Sequence, residues 1–231
     1  VPLEAEAAQK IATDNDDIVC LFLDVDPYSS VFNVSFNPAD GTRASVKYLY
    51  ELGHRDIALL AGPTSSVSAQ LRLKSWIETL KGYGLEPASV IRGNWDAQSG
   101  YSGALQMLRE TAQFTAVLVA NDQMALGVLS AFHQQQISIP GEKSVIGYDD
   151  TYESSFFYPA LTTVSLDLDL QGKEAVRRIL DSGEENAQRM SSILPARLVV
   201  RQSTGPKGEK GKNLQALAQQ LREIAHQLGD A

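Results

Sequence analysis

Short apolar runs recur along this chain and alternate with segments whose apolar residues fall at helical spacing. That alternation limits the possible folds more than any single motif does. The runs lie at 18–23 (IVCLFL), 31–36, 56–61 (DIALLA), 90–92, 115–120 (TAVLVA), 144–147 (SVIG), 162–165 and 193–200. Several are apolar at consecutive positions, as strands of a parallel sheet are when helices cover both of its faces. The segments between them read as amphipathic helices. Asn37 with Pro38 opens one that carries Val46, Leu49 and Tyr50 on its apolar side and stops at Gly53. The next buries Ala69, Leu73, Trp76, Ile77 and Leu80, at spacings of 4, 3, 1 and 3. Asp96 and Asn121 stand where they can cap two more, and 167–180 is helical. Strand and helix in alternation predict an α/β fold with parallel sheets.

Composition narrows the function. With 231 residues the chain is long enough for two lobes with substantial cores. A net charge of −8 makes it a poor phosphate binder on its own, so any DNA contact has to come from elsewhere. The one cysteine, Cys20, allows no internal disulfide and no cysteine cluster for zinc, and its apolar setting reads as a packed thiol. No stretch is long and apolar enough to span a bilayer. His54, His133 and His226 stand beside no plausible nucleophile, and no phosphate-binding glycine motif is present. Asp149 and Asp150 are adjacent, and adjacent side chains normally diverge, which argues against a glycosidase pair. The expectation is a protein that is not an enzyme and needs no cofactor or metal.

In parallel sheets, ligands bind beyond the carboxyl ends of the strands. Those positions collect an unusual set. Asp24 follows IVCLFL, Phe36 ends its own run, and Ser65, Ser66, Ser68 and Arg72 follow IALLAGP. Trp95 follows VIRGN, Asn121 and Asp122 follow TAVLVA, and Asp149 and Asp150 follow SVIGY. Carboxylates accept hydroxyl protons, a guanidinium fork donates, an amide does both, and an indole packs on the apolar face of a sugar ring. Each residue also has a bland explanation as a cap, a turn or core. Together, at one sheet edge, they suit a neutral polyol.

The last part has a different character. QSTGPKGEKGKN at 202–213 reads as a flexible linker. Beyond it Leu214, Leu217, Leu221, Ile224 and Leu228 follow at spacings of 3, 4, 3 and 4, a heptad seam. Such a helix either docks on its own domain or self-associates, and the strict spacing after a long linker favours self-association.

ELGHRDIALLAGP, SSVSAQLRL, VANDQMALG, VIGYDDT and YPALTTV resemble the LacI/GalR family of sugar-responsive bacterial transcriptional regulators. The likeness extends with few gaps from residue 1 to about 204, and the heptad tail resembles a tetramerisation helix of the family. The resemblance implies two periplasmic-binding-protein-like subdomains, each a parallel sheet flanked by helices, with an inducer between them. On that pattern 1–36 and 166–195 form part of an N-subdomain, incomplete here, and 37–165 and 196–204 form a C-subdomain. A linker at 205–213 and a tetramerisation helix at 214–231 follow, and crossovers fall near Phe36, Ser165 and Ala196.

It further implies that Asp24, Phe36, Ser66, Ser68, Arg72, Trp95, Asn121 and Asp149 match positions lining a galactoside pocket. The implied partners are a sugar inducer and a second or further copies of the chain. Operator DNA would be met through an N-terminal helix-turn-helix absent from this chain, in the cytoplasm and with no membrane contact. Two positions depart from the pattern, because Leu166 and Leu168 stand where a Gln and a Phe are expected. An amide and an aromatic plane are thereby lost, which weakens the case for a galactoside. The broad apolar face of the helix 122–133, with Leu126 and Ala131 at its margins, joins Phe156 and Phe157 as an expected twofold dimer patch. A periplasmic sugar-binding protein of a transporter would share the fold and the chemistry, but has no use for the heptad tail.

Overall fold

The apolar run at 56–61 lies inside the main sheet. The computed structural model describes residues 5–23, 25–110, 113–182 and 191–208. In chain order the elements are α1 (Ala5–Asp14), β1 (Val34–Phe36), α2 (Pro38–Glu51), β2 (Ile57–Ala61), α3 (Val67–Gly82), β3 (Ser89–Arg92) and α4 (Ala97–Glu110). Then come β4 (Ala116–Val119), α5 (Asp122–Gln134), β5 (Ser144–Ile146), a 3-10 turn (Tyr152–Phe156), β6 (Thr163–Ser165), α6 (Leu168–Asp181), β7 (Ser192–Leu194) and β8 (Arg197–Val199).

Four parallel strands form the main sheet in the order β3–β2–β4–β5. Every residue of β2 and β4 is fully buried, which is why these runs are apolar at consecutive positions. The connection from β2 to β3 runs one way across the sheet, and those from β3 to β4 and β4 to β5 run the other way. Right-handed crossovers therefore put α3 on one face and α4 with α5 on the other. Trp76, Leu80, Met107, Phe114 and Phe132 fill the layers between helix and sheet. The helices end as their sequence directs. Asn37 caps α2 by accepting from the Ala39 amide at 3.0 Å, and Gly53 leaves the same helix at φ +90°. Asp96 accepts from the Ser99 amide at 2.7 Å, and Asp167 from the Leu170 amide at 2.9 Å.

A second, smaller sheet pairs β1 with β7 in parallel, Val34 opposite Ser192 and Phe36 opposite Leu194, with α6 packed on β1. A third pairs β6 with β8 antiparallel. Single bridges from Ile146 to Thr162 and from Asp149 to Ser165 tie β6 to the main sheet.

Four expectations need correction. The 18–23 run is not a buried strand: it makes one bridge, Phe22 to Asn33, and Ile18, Val19 and Leu23 are exposed. A run becomes a strand only where neighbours take up its backbone groups, and among the described residues it has one such neighbour. Cys20 is accordingly half-buried rather than packed in a core. The 31–36 run is regular only over its last three residues, and the 193–200 run is two strands in different sheets, parted at Pro195 and Ala196. Proline has no N–H to offer a ladder, so the run divides there.

Residues 203–207, read as linker from their composition, are instead bonded to the main-sheet lobe. Ser203 exchanges backbone and side-chain bonds with Val145 at 2.8 and 2.6 Å, and Lys207 N donates to Leu52 O at 3.0 Å. Within this segment buried His54 holds Gly205, with Nε2 3.0 Å from its carbonyl and Nδ1 2.9 Å from Thr115 Oγ1. The carbonyl can only accept, so Nε2 carries the proton and Nδ1 accepts from the threonine. Burial lowers the His54 pKa below 6.5, against the opposing effect of the Gly205 bond and helped by Lys207 and Arg55. The unfolded chain therefore binds this proton at a higher pH than the native one does. Native stability then falls as pH drops below about 6.5 and levels off once native His54 also protonates. We expect the urea midpoint to fall between about pH 7.5 and pH 5.5, and His54→Gln to remove part of that fall, because glutamine makes both bonds without titrating. Parallel pH profiles for the two proteins would contradict this.

Candidate functional site

β2 ends at Ala61, and Gly62 and Pro63 turn the chain toward α3. Ser66 caps that helix, its Oγ accepting from the Ala69 amide at 3.3 Å and lying 3.1 Å from Ser68 Oγ. Arg72 follows Ser68 by one helical turn and is buried. A buried guanidinium is costly unless its donors are used. Here its plane lies 3.5 Å over the Tyr148 ring, Nη1 donates to Ala120 O, and Nη2 stands 3.9 Å from Asp149 Oδ1. Burial raises the Tyr148 pKa, with Arg72 pulling it the other way, so the ring under the cation is a neutral phenol. Arg72 thus joins the carboxyl ends of three strands: β2 through its helix, β4 through Ala120, and β5 through Tyr148 and Asp149.

β4 delivers Asn121. Its Oδ1 caps α5 by accepting from the Met124 amide at 2.9 Å, while Nδ2 donates to Trp95 O at 2.9 Å. That bond holds Trp95 in a backbone conformation bulky residues avoid, φ +81°. Asp149 is likewise at φ +112°. Backbone strain of this kind persists only where surroundings impose it, and it clusters at binding sites. Gly62 makes room for the indole, because a Cβ there would sit 2.5 Å from Trp95 Cη2.

The neighbouring carboxylates do structural work. Asp122 is buried, which raises its pKa, and accepts from Thr163 Oγ1 at 2.6 Å and the Thr151 amide at 2.9 Å. Asp150 turns away from Asp149 and pairs with Arg201 at 2.6 Å. The two adjacent aspartates diverge, as expected.

These elements enclose a cavity of about 410 Å³, within the ~300–1,000 Å³ range of small-molecule sites. Phe36, Ser68, Arg72, Trp95, Asn121 and Asp149 all line it, so six of the eight expected residues meet there. It lies at the carboxyl ends of β2 and β4, where the strand order reverses direction. Ser66 is not on the wall; it caps the helix that is. Asp24 lies outside the described residues. The opposite wall carries Leu23, Leu166, Leu168 and Gln171. Gln171 was not anticipated. Its signal was faint: a polar residue four before buried Ala175, on the α6 face that meets β1.

The expected dimer patch is smaller than its sequence suggests. Met124, Ala125, Val128, Leu129, Ala131 and Phe132 are all buried core, and Leu126 alone among the apolar residues of α5 is exposed. Phe156 is 70% exposed and its ring lies 5.3 Å from that of Tyr152 in a tilted arrangement, while Phe157 is half-buried against the core. The heptad positions Leu214, Leu217, Leu221, Ile224 and Leu228 lie outside the described residues. Among the described residues no helix is long and apolar enough to cross a membrane, and no cluster of three potential metal ligands occurs.

Residues 46–204 match the periplasmic binding protein-like domain family. Over 228 residues the chain is 46% identical to the lactose operon repressor of Klebsiella pneumoniae, an alignment covering 99% of this chain and 64% of that protein. It is 40% identical over 227 residues to the lactose operon repressor of Escherichia coli strain K12, covering 98% and 63%. The chain therefore spans just under two thirds of the length of these relatives. The crystal structure of the Lac repressor dimer bound to operator and the anti-inducer ONPF superposes with a TM-score of 0.84 at 41% identity, over 88% of this chain and 71% of that one. The complex of the transcriptional regulator CelR with cellobiose gives 0.77 at 27% identity, over 87% and 63%. Fold and sequence agree: the chain belongs to the periplasmic binding protein-like domain family and is a homologue of the Lac repressor core.

Proposed function

We propose that this chain is the sugar-binding and oligomerisation core of a lactose-repressor-like transcriptional repressor. A galactoside-type sugar fills the cavity and lowers the protein's affinity for its operator. The observation that carries this reading is the convergence of Arg72, Asn121, Asp149, Ser68 and Trp95, from four strand ends, on one cavity of about 410 Å³. Arg72 donates to ring hydroxyls, Asp149 accepts from them, Asn121 has one N–H beyond its bond to Trp95 O, and the indole offers an apolar plane. In this reading the ligand is bound and released unchanged.

The control mechanism follows from connectivity. Chain segments cross between the β1–β7 lobe and the main-sheet lobe near Phe36, Ser165 and Ala196, and the cavity is walled from both sides. A ligand that touches both walls favours one relative orientation over another. Coupling of about 1–3 kcal/mol between sugar and operator is the usual scale for such control. Exposed Phe156 and Tyr152, whose rings lie 5.3 Å apart, and exposed Leu126 on α5 supply apolar surface for a twofold partner. The heptad residues Leu214, Leu217, Leu221, Ile224 and Leu228 pair dimers into tetramers. Operator DNA is met through an N-terminal helix-turn-helix, and the protein works in the cytoplasm.

The test is a mobility-shift titration with the full-length product of the gene encoding this chain and its operator. Methyl β-galactoside is expected to weaken operator binding by about tenfold or more. Equal operator affinity with and without galactosides and related hexosides would overturn the reading.

A further inference from the structure

The cavity has two chemically different walls. Arg72, Asn121, Asp149 and Ser68 make one of them polar, while Leu23, Phe36, Leu166 and Leu168 make the other apolar. Gln171 is the exception on the apolar side. It projects from α6, is 8% exposed, and lines the cavity. Its Nε2 donates to Leu23 O at 2.9 Å and to Val34 O at 2.8 Å. Both acceptors are backbone carbonyls that cannot donate, so only the NH₂ end of the amide can face them. The orientation of the amide is therefore set by its partners, and its two N–H groups are both used. The carbonyl Oε1 accepts no hydrogen bond from any described residue, and it is not among the buried polar atoms left without a partner. It is the one side-chain acceptor that the described residues place on this wall.

We propose that Gln171 is a specificity-determining residue, whose Oε1 accepts a hydrogen bond from one hydroxyl of the bound sugar. This rests on the sugar-binding reading above. The Arg72 side holds one edge of the ring, and Gln171 holds a hydroxyl on the opposite edge against an otherwise apolar surface. A ligand lacking that hydroxyl leaves the amide oxygen unsolvated, which is how such sites reject close analogues. The same amide ties α6 to β1 and to Leu23, so ligand contact at Oε1 also bears on the small lobe.

The test uses calorimetry with methyl β-galactoside and its monodeoxy analogues. In the native protein one deoxy position is expected to cost about tenfold in affinity through Gln171. Gln171→Met keeps the length and loses the amide; Gln171→Lys keeps donors for both carbonyls and has no acceptor. Both variants are expected to bind the parent sugar about tenfold more weakly and to bind that one deoxy analogue no worse than the parent. A melting curve reports folding for each, and two variants keep the comparison alive if one is unstable. If both folded variants retain the native deoxy profile while Arg72→Leu abolishes binding, the Gln171 assignment is overturned and the pocket stands. If the native protein binds none of these sugars, both are overturned.

Discussion

Replacing Arg72 with leucine is expected to weaken galactoside binding by about a hundredfold or more, because the proposed reading gives the guanidinium two charge-assisted hydrogen bonds to the sugar and both would go together. In the full-length protein, operator affinity should stay at the native level and the response to sugar should vanish. The fold should survive. Leucine suits the buried stem of the side chain, and Asp149, left without this cation, is partly exposed and keeps access to water. Arg72→Lys retains the charge but neither the planar fork over Tyr148 nor the bond pattern to Ala120 O, so it should bind weakly as well. Calorimetry on the three proteins checks this, and native affinity in Arg72→Leu would refute the role given to the guanidinium.

The second large effect concerns packing that sets the site from behind. α4 and α5 approach so closely that a Cβ on Gly127 would overlap Ala97 O and come within 2.5 Å of the Tyr101 amide nitrogen. Both obstacles are backbone, so no side chain can rotate aside to make room. Gly127→Val should therefore destabilise the protein by about 3 kcal/mol or more. At this chain length that is a fall in melting temperature of roughly 6–12 °C. It should also weaken sugar binding, because α4 follows directly from Trp95 and α5 from Asn121, and the Asn121–Trp95 bond spans the two. Calorimetric melting of the variant checks the stability, and a melting temperature within about 2 °C of native would contradict the packing account.

What could be read from residues alone was whatever depends on local pattern. The runs at 57–61 and 116–119 and the helices between them follow from burial and periodicity, and Asn37, Asp96 and Asn121 cap where short polar side chains can accept a backbone proton. The rule that ligands sit past strand ends pointed to Phe36, Ser68, Arg72, Trp95, Asn121 and Asp149, which line one cavity, and equally to Ser65, Ser66, Asp122 and Asp150, which do not.

What escaped depends on neighbours distant in sequence. The run at 18–23 is as apolar as 57–61, but among the described residues it makes one bridge, Phe22 to Asn33, so it stays irregular. Ser66 and Ser68 look alike in the chain, yet one caps α3 and the other faces the cavity. Gln171 reaches the cavity only because α6 lies on β1, a contact made across more than a hundred residues. Residues 203–207 read as linker from their glycine and proline, but they are held by His54, Ser144 and Val145. The departures at Leu166 and Leu168 were visible at once, whereas their consequence, an apolar wall with one amide in it, needed the structure.

The most direct test is a crystal structure of the protein with methyl β-galactoside bound. The account predicts the sugar ring in the cavity between the two lobes. Its hydroxyls should lie within hydrogen-bond distance of Arg72, Asp149 and Asn121, and its apolar face against Trp95. A sugar bound elsewhere, or in this cavity without touching Arg72 and Asp149, would contradict it.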